Sequence, residues 1–205
     1  MKSGSIWLAE KPLLLASAST ARRAVLEAAG LQVETEAAGI DERAIEASLG
    51  SAWPAELAER LAREKANAVA LRRADRVVLG ADQVLDYDGQ SMSKPADLED
   101  AARQLAELAG HTHRLHSAVA LRVPGEGEIL FVETASLTMR HLGQAAIRAY
   151  LGHVGNAALW SPGGYQVEGL GIHLFERIDG EHTTILGLPL LPLLGRLRGL
   201  GLIGI

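Results

Sequence analysis

Cysteine, aromatic side chains, excess basic charge and long apolar runs are all absent or scarce in the 205-residue sequence. Without cysteine the chain has neither disulfides nor thiolate metal sites, which agrees with a reducing compartment. Aromatic residues make up only 4% of a chain that is 48% hydrophobic, so leucine, valine and alanine must fill the interior. A chain of this length buries a sizeable core within one domain of ordinary size.

The charge balance and the apolar segments exclude two classes of protein. A formal net charge of −5 argues against a protein that coats nucleic acid, because such a protein needs a strongly basic face. The start of the chain imitates a secretory signal, but Glu10, Lys11 and Pro12 interrupt its apolar stretch. The apolar tail from Ile185 contains prolines and arginines that rule out a membrane helix. We therefore expect a cytoplasmic protein that binds neither nucleic acid nor a membrane.

Hydrophobic periodicity predicts an α/β protein with a mixed, twisted sheet and flanking helices. Residues 13–16 indicate a buried strand, and later segments alternate in the manner of strands. Residues 172–178 and 183–186 are predicted to pair as a hairpin. No repeat or linker divides the chain. One domain over residues 1–205 is expected, and a division into two lobes around a cleft stays open.

The segment of residues 77–95, VVLGADQVLDYDGQSMSKP, joins a buried-looking run to an aspartate and a later lysine. Asp88-Gly89 is a strong hairpin signal, and a turn there places Gln83 opposite Lys94. Asp82 and Lys94 would then lie at the same open end of the ribbon. A surface ion pair worth at most about 1 kcal/mol, or an aspartate that only ends a strand, are the structural alternatives. Polar groups at the end of a buried strand favour a functional site.

A second candidate component is the loop SASTARR, which follows the first strand. Ser19 or Thr20 is expected to cap a helix there, and the free backbone N–H groups of that helix favour an anion. Arg22 and Arg23 lie in its first turn, where cations are unfavourable unless a polyanion binds. One of these two arginines is expected to face water.

Three cations, Arg22, Lys65 and Lys94, together with a helix N-terminus would suit a triphosphate. Lys65 borders the apolar face of its helix, and taken alone it would more often be a lysine whose stem covers apolar surface. Glu42 and Asp82 are then candidates to hold the magnesium that a triphosphate carries.

Eight motifs occur in the order found in Maf proteins, a family of nucleotide pyrophosphatases once described as septum-formation inhibitors. They span nearly the whole chain: LASASTARR, IDE, LAREKA, GADQV, SKP, GHTHRLHS, GYQVEGLG and ILGLPL. The sequence therefore closely resembles this family. The resemblance implies a fold similar to that of the inosine-triphosphate pyrophosphatases, with a cleft beside the sheet. It also implies a homodimer that hydrolyses a nucleoside triphosphate to a monophosphate and pyrophosphate, usually with Mg²⁺ and alternatively with Mn²⁺.

The resemblance also assigns roles to individual residues. Asp82 matches the family's proton-acceptor aspartate, and Lys65 and Lys94 match its functional lysines. Arg22 matches the motif arginine that faces the phosphates, and Glu42 matches the family's acidic loop residue. The phosphate-binding candidates are Ser17, Ser19 and Arg22, and the metal-binding candidates are Glu42 and Asp82.

Three positions are similar to the family's substrate selectors: Ala21, Gln83 and Glu168. The dTTP/UTP branch has Arg, Thr and Gln there, so Gln83 and Glu168 resemble the 7-methyl-GTP branch more. That branch carries an aromatic residue at the position of Ala21. Glu168 is expected to accept hydrogen bonds from a guanine-type N–H edge, whereas the Gln83 amide is able either to donate or to accept.

Two other functions compete with this interpretation. One is a nucleotide-binding regulator of septum formation without significant turnover, which a missing catalytic carboxylate would have favoured. The other is a housekeeping inosine-triphosphate pyrophosphatase, which would prefer deaminated purines. Asp82 and Glu42 are both present, so the hydrolase is the main hypothesis.

Overall fold

One mixed sheet organises the chain in the computed structural model, which describes residues 6–50 and 53–205. Its strands are β1 (Leu13–Leu15), β2 (Val33–Thr35), β3 (Val78–Tyr87), β4 (Gln90–Met92), β5 (Thr112–Arg122), β6 (Glu128–Met139) and β7 (Phe175–Asp179). The strand order is β2-β1-β3-β5-β6-β7, and β4 pairs with β3 outside this path. β1 is parallel to β2 and β3, whereas the other pairs are antiparallel. The prediction of an α/β protein with a mixed sheet is confirmed.

Helices cover the sheet and carry the local signals expected from the sequence. They are α1 (Thr20–Ala28), α2 (Glu42–Leu49), α3 (Pro54–Arg72), α4 (Leu98–Leu108), α5 (Gln144–Val154), α6 (His182–Ile185) and α7 (Leu190–Gly199). Three 3₁₀ segments, Gly155–Leu159, Pro162–Gly164 and Leu170–Leu174, lie between α5 and β7. Within the described ranges, no helix has the length and apolar character needed to cross a membrane. The first five residues of the signal-like start lie outside those ranges.

The hairpin predicted from residues 172–178 and 183–186 is wrong. β7 starts only at Phe175, and it pairs with β6 rather than with the segment that follows it. That following segment is the short helix α6, although Thr183, Thr184 and Ile185 have the β-branched side chains typical of strands. Its backbone carbonyls turn toward β3 and β5 and bind side chains there, so tertiary contacts outweigh the local preference.

β3 changes its neighbour halfway along its length. Its first residues pair with β1, and its last residues, from Leu85 to Tyr87, pair with β4. Between these two ladders, residues 80–84 have no strand partner on this edge within the described chain. The Leu79 carbonyl accepts a hydrogen bond from the Ala16 N–H group just after β1, and strand alternation directs the backbone groups of Ala81 and Gln83 to the same edge. This gap, called the open stretch of β3, is a length of sheet edge that no strand covers; Ala81 in it is buried and Gln83 is half-buried.

The two faces of the sheet are packed differently. One face carries α3 over an alanine-rich cluster formed by residues such as Ala62, Ala66, Ala118 and Ala120. The other face carries two larger apolar clusters. The first lies with α1 and α7 near Leu79, and the second lies with α4 and α5 near Leu85. Between these two clusters lies a polar pair, Gln83 of β3 and Ser117, its partner on β5.

Gly80 allows α3 to lie unusually close to β3. A Cβ atom at this position would lie 2.2 Å from the Ala62 carbonyl oxygen and 2.6 Å from the Ala66 nitrogen, both of them helix backbone atoms. Backbone atoms cannot move aside as a flexible side chain can. The helix would therefore have to shift as a whole if Gly80 gained a side chain.

A further contact connects the sheet to the segment that carries Glu168. The buried His113 of β5 shares a hydrogen bond of 2.6 Å between its Nε2 atom and the Tyr165 hydroxyl. Its Nδ1 atom is buried without a hydrogen-bond partner in the part of the chain that is described. Burial lowers the pKa of His113 to about 4 and raises that of the Tyr165 hydroxyl, so the imidazole is neutral at pH 7.

We predict that Gly80→Ala destabilises the protein by roughly 1–3 kcal/mol, because the added methyl group displaces α3. Urea denaturation measures the change in the free energy of unfolding. Gly127→Ala is the matched control, since an added Cβ there meets nothing within 4 Å. Equal stability of the two variants would contradict the close packing of α3 on β3.

We predict that His113 makes stability fall as the pH is lowered from about 6.5 to about 4. Its pKa is depressed in the folded chain, so below pH 6.5 the unfolded chain binds the extra proton and is favoured. The resulting loss in the free energy of unfolding is on the order of 3 kcal/mol. Urea denaturation at several pH values should show a shallower decline for His113→Gln. The exposed His153→Gln is the control, and an unchanged decline in His113→Gln would contradict the prediction.

Candidate active site

An ion pair between Lys65 and Asp82 lies where α3 crosses the open stretch of β3. Lys65 Nζ lies 2.5 Å from Asp82 Oδ1, and both side chains are about one-tenth exposed. Asp82 shares its sheet face with Gly80, two residues earlier, and it is the close approach at Gly80 that brings Lys65 within reach. β3 continues past Asp82 to Tyr87, so the aspartate lies within a strand and does not end it.

Glu42 completes this cluster from the start of α2. Its Oε1 atom lies 2.8 Å from the same Lys65 Nζ atom, but its side chain is 55% exposed. Asp41 caps α2 by accepting a hydrogen bond from the Ala44 N–H group, which fixes where the helix begins. One buried ammonium group thus joins a buried carboxylate to a carboxylate that solvent and ligands can reach.

Arg22 approaches the same cluster from α1. Its Nε atom donates to the Gly187 carbonyl over 2.9 Å, and its Nη1 atom lies 3.5 Å from Ser17 Oγ. Burial lowers the pKa of its guanidinium group, while the carboxylates of Asp82 and Glu42 act to raise it. Both carboxylates therefore act to stabilise the charged form of Arg22.

Arg22 and Arg23 have different roles, as the sequence suggested for one of them. Arg23 forms an exposed ion pair with Glu27 on the outer side of α1, so it is the arginine that faces water. Ser19 caps α1 by accepting from the Arg22 N–H group, and Ser17 accepts from the Ser19 N–H group. The loop from 17 to 19 thus lies at the N-terminus of a nine-residue helix, a position that favours an anion.

Lys94 lies near the gap in β3 but outside the ion-pair cluster. The pairs Leu85–Met92 and Tyr87–Gln90 have the predicted register, and its continuation places Lys94 opposite Gln83. The ladder stops at Met92, and Lys94 is exposed with no ion pair among the described residues. It is free to meet a ligand.

The backbone beside Lys94 is held by a residue that the sequence did not reveal. Gln104 of α4 is mostly buried; it donates to the Ser93 carbonyl over 3.2 Å and accepts from the Gly163 N–H group over 3.0 Å. Its amide therefore connects the lysine segment to the 162–164 turn. Such long-range contacts depend on the packing of α4 and leave no local sequence signal.

Gln83 points to the opposite face of the sheet from Asp82. Its Nε2 atom lies 2.9 Å from Ser117 Oγ and 3.0 Å from the carbonyl oxygens of both Thr184 and Ile185. Ser117 is fully buried and lies directly across from Gln83 on β5. Alternation does give a signal for Ser117, because it interrupts the core-facing series of Leu115, Val119 and Leu121.

The other two candidate selectors are less constrained. Ala21 is half-buried in the first turn of α1, next to Arg22. Glu168 is exposed in the turn between the second and third 3₁₀ segments. Nearby Tyr165 and Val167 are buried, so the turn is anchored to the core while the Glu168 carboxylate remains accessible.

A second buried acid, Asp86, lies four residues beyond Asp82 on the same face of β3. It accepts from the Gly89 N–H group over 2.8 Å, and its Oδ2 atom lies 3.1 Å from His116 Nε2. His116 also contacts Thr134 on β6. These bonds fix the β3–β4 turn against the sheet.

His113 and His116 point to opposite faces, and no cluster of three or more metal-binding side chains occurs in the described ranges.

The profile of a family described as Maf-like protein matches residues 12–200. A nucleoside triphosphate pyrophosphatase of Rhodopseudomonas palustris (strain BisB18) is 53% identical over 196 residues, which cover 95% of this chain and 96% of that protein. A 7-methyl-GTP pyrophosphatase of Brucella abortus biovar 1 (strain 9-941) is 48% identical over 188 residues, which cover 91% and 94%.

Solved structures resemble the chain more weakly. A nucleoside-triphosphatase / dITP/XTP pyrophosphatase from Mycobacterium abscessus is 18% identical and covers 92% of this chain and 97% of its own, with a TM-score of 0.47. A likeness at this level supports no conclusion about the site. The sequence matches are far stronger, because they extend over nearly the full length of the chain and of its relatives. The chain belongs to the Maf-like protein family.

Proposed function

We propose that the chain hydrolyses a nucleoside triphosphate to the nucleoside monophosphate and pyrophosphate. The observation that carries this proposal is the placement of Lys65 Nζ between Asp82 and Glu42, at the open stretch of β3. The printed names of the relatives, nucleoside triphosphate pyrophosphatase and 7-methyl-GTP pyrophosphatase, support the same reaction class. No observation favours a regulator without turnover, because both acids are present.

The phosphates are bound by groups that surround the gap. Arg22 and the N-terminus of α1, with the hydroxyl groups of Ser17 and Ser19, supply donors on one side. Lys65 supplies a buried cation beneath the gap, and the exposed Lys94 approaches from the end of β4. These groups stabilise the charge that develops on the leaving pyrophosphate.

The reaction is a direct attack of water on the α-phosphorus, with Asp82 as the base. Asp82 Oδ accepts a proton from the water, the water oxygen bonds to the α-phosphorus, and the bond to the α–β bridging oxygen breaks. The electron pair of that bond leaves with pyrophosphate. No covalent intermediate with the enzyme forms. Burial of Asp82 within β3 and its contact with Lys65 Nζ fix the position of the carboxylate.

A divalent metal, Mg²⁺ with Mn²⁺ as the alternative, is part of the proposal. Mg²⁺ commonly uses one or two protein carboxylates together with substrate phosphates, and Asp82 with the exposed Glu42 provides such a pair. Both carboxylates contact the Lys65 ammonium group, so the lysine and a metal would compete for them. Lys65 would then be available to bind phosphate oxygen. When bound, the metal would neutralise phosphate charge.

Base recognition is assigned to the three selector positions. Glu168 is exposed and accepts hydrogen bonds, which suits the N–H edge of a guanine-type base. Ala21 offers no aromatic surface for stacking. The wider proposal includes a cytoplasmic homodimer. The resemblance to the Maf family supports the homodimer, and the absence of cysteine agrees with a reducing compartment.

We predict that Asp82→Asn lowers kcat for pyrophosphate release by about 10²–10⁴-fold, because the base is lost. The assay supplies ordinary and modified nucleoside triphosphates with Mg²⁺ and detects pyrophosphate separately from phosphate. Asp86→Asn is the matched control, because it changes a buried aspartate on the same face of β3 and is expected to retain turnover. An active Asp82→Asn enzyme would refute the assignment. Nucleotide binding without turnover by the unaltered chain would favour the regulator.

We predict that Glu168→Gln changes the ranking of nucleotides while kcat for the poorest substrates stays similar. The neutral amide keeps one acceptor but adds a donor, so guanine-type bases should lose about three- to tenfold in kcat/KM relative to the others. Glu176→Gln, on the exposed side of β7, controls for the loss of one surface charge. An unchanged ranking in Glu168→Gln would show that this carboxylate does not read the base.

A further inference from the structure

Gln83 and Ser117 form a polar interruption between the two apolar clusters on one face of the sheet. They are cross-strand partners on β3 and β5, and Ser117 is completely buried. The adjacent positions, Ala81 with Val119 and Leu85 with Leu115, are apolar on both strands. A buried serine at the centre of an otherwise apolar row costs stability unless its hydroxyl group is used.

The hydrogen bonds of this pair fix the direction of the Gln83 amide. Ser117 Oγ donates its one proton to the Thr184 carbonyl over 2.7 Å, so toward Gln83 the hydroxyl group can only accept. Gln83 Nε2 therefore faces three acceptors: this hydroxyl group and the carbonyls of Thr184 and Ile185. A reversed amide would place Oε1 against two carbonyl oxygens and is excluded by repulsion. Both protons of Nε2 are thus committed inside the protein.

We propose that Ser117 is a positioning residue for substrate specificity. Together with the Thr184 and Ile185 carbonyls it holds the Gln83 amide so that the base meets only an acceptor, Oε1. The nucleotides selected are those whose base offers an N–H donor there, such as the N1–H or 2-amino group of guanine or the N3–H group of uracil. This inference rests on the proposed pyrophosphatase function and narrows its substrate class.

The backbone segment 184–187, whose carbonyls bind the Gln83 amide, also connects base selection to phosphate binding. Arg22 Nε donates to the Gly187 carbonyl, two residues beyond Ile185. The segment from 184 to 187 therefore holds the selector on one side and the phosphate-binding arginine on the other. Loss of the Ser117 hydroxyl group should therefore affect the position of Gln83 before that of Arg22, because the contact of Arg22 with Gly187 does not involve Ser117.

The test compares kcat/KM for pyrophosphate release within pairs of nucleotides whose bases present different donors. GTP and ITP differ by the 2-amino donor alone. ITP and ATP, and likewise UTP and CTP, differ in whether N1 or N3 carries a proton, and ATP and CTP carry an amino donor in place of the neighbouring carbonyl. Gln83→Leu identifies which ratio depends on Gln83, and that ratio is expected to fall about three- to tenfold. Ser117→Ala should lower the same ratio, and Ser117→Thr, which keeps the hydroxyl group, should restore it.

Three further variants separate a positioning role of Ser117 from general damage to the fold. Ser136→Ala removes a half-buried hydroxyl group from β6 that makes no contact with Gln83, and it should keep every ratio. The double variant Ser117→Ala/Gln83→Leu should be no less selective than Gln83→Leu alone, because both changes remove one function. If Ser117→Ala does not fold, Ser117→Cys retains a weak acceptor and should give an intermediate ratio.

The outcomes distinguish this inference from the proposed function. Pyrophosphate release with wild-type ratios in Ser117→Ala would overturn the role of Ser117. A Gln83-dependent preference for ITP over GTP would overturn the direction of the amide, because these two bases differ only by the 2-amino donor. Absence of pyrophosphate release from every nucleotide by the wild-type chain would instead refute the proposed function, and this inference would fall with it.

Discussion

The contact on which the site depends is the Lys65 ammonium group held between Asp82 and Glu42. A buried carboxylate without a partner is costly, and a buried lysine is costly for the same reason, so each requires the other. The contact exists only because Gly80 and a row of alanines let α3 lie against β3. Packing of small residues thus determines where the charges lie, and the proposed binding of phosphate and metal depends on those charges.

The change of partner along β3 gives this cluster access to a ligand. Were β1 or β4 longer, the edge beside Asp82 and Gln83 would be covered by another strand. The interruption leaves one stretch of edge without a neighbouring strand, with Asp82 directed to the α3 face and Gln83 to the opposite face. A ligand at this edge would therefore meet the proposed base, Asp82, and the proposed selector, Gln83, which are adjacent in sequence. The 184–187 segment holds both Arg22 and Gln83 and so connects the two faces.

Local signals in the sequence predicted local structure well. Asp88-Gly89 gave the register of β3 with β4, and Ser19, Pro54 and the alternation of β5 gave helix starts and a strand. The partner of Asp82 was not predictable in this way, because Lys65 reaches it through the close packing of α3. The 183–186 segment misled the prediction, since its β-branched residues are typical of strands but its carbonyls bind Gln83 and Ser117. Specific contacts between distant elements are what sequence patterns cannot show.

The most direct test of the account is hydrolysis in water labelled with ¹⁸O, followed by mass spectrometry of both products. Attack at the α-phosphorus predicts one labelled oxygen in the nucleoside monophosphate and none in the pyrophosphate. Label in pyrophosphate would place the attack on the β-phosphorus, and labelled inorganic phosphate would place it on the γ-phosphorus. Either of these results would contradict the arrangement in which Asp82, beside the open edge of β3, activates water at the α-phosphorus.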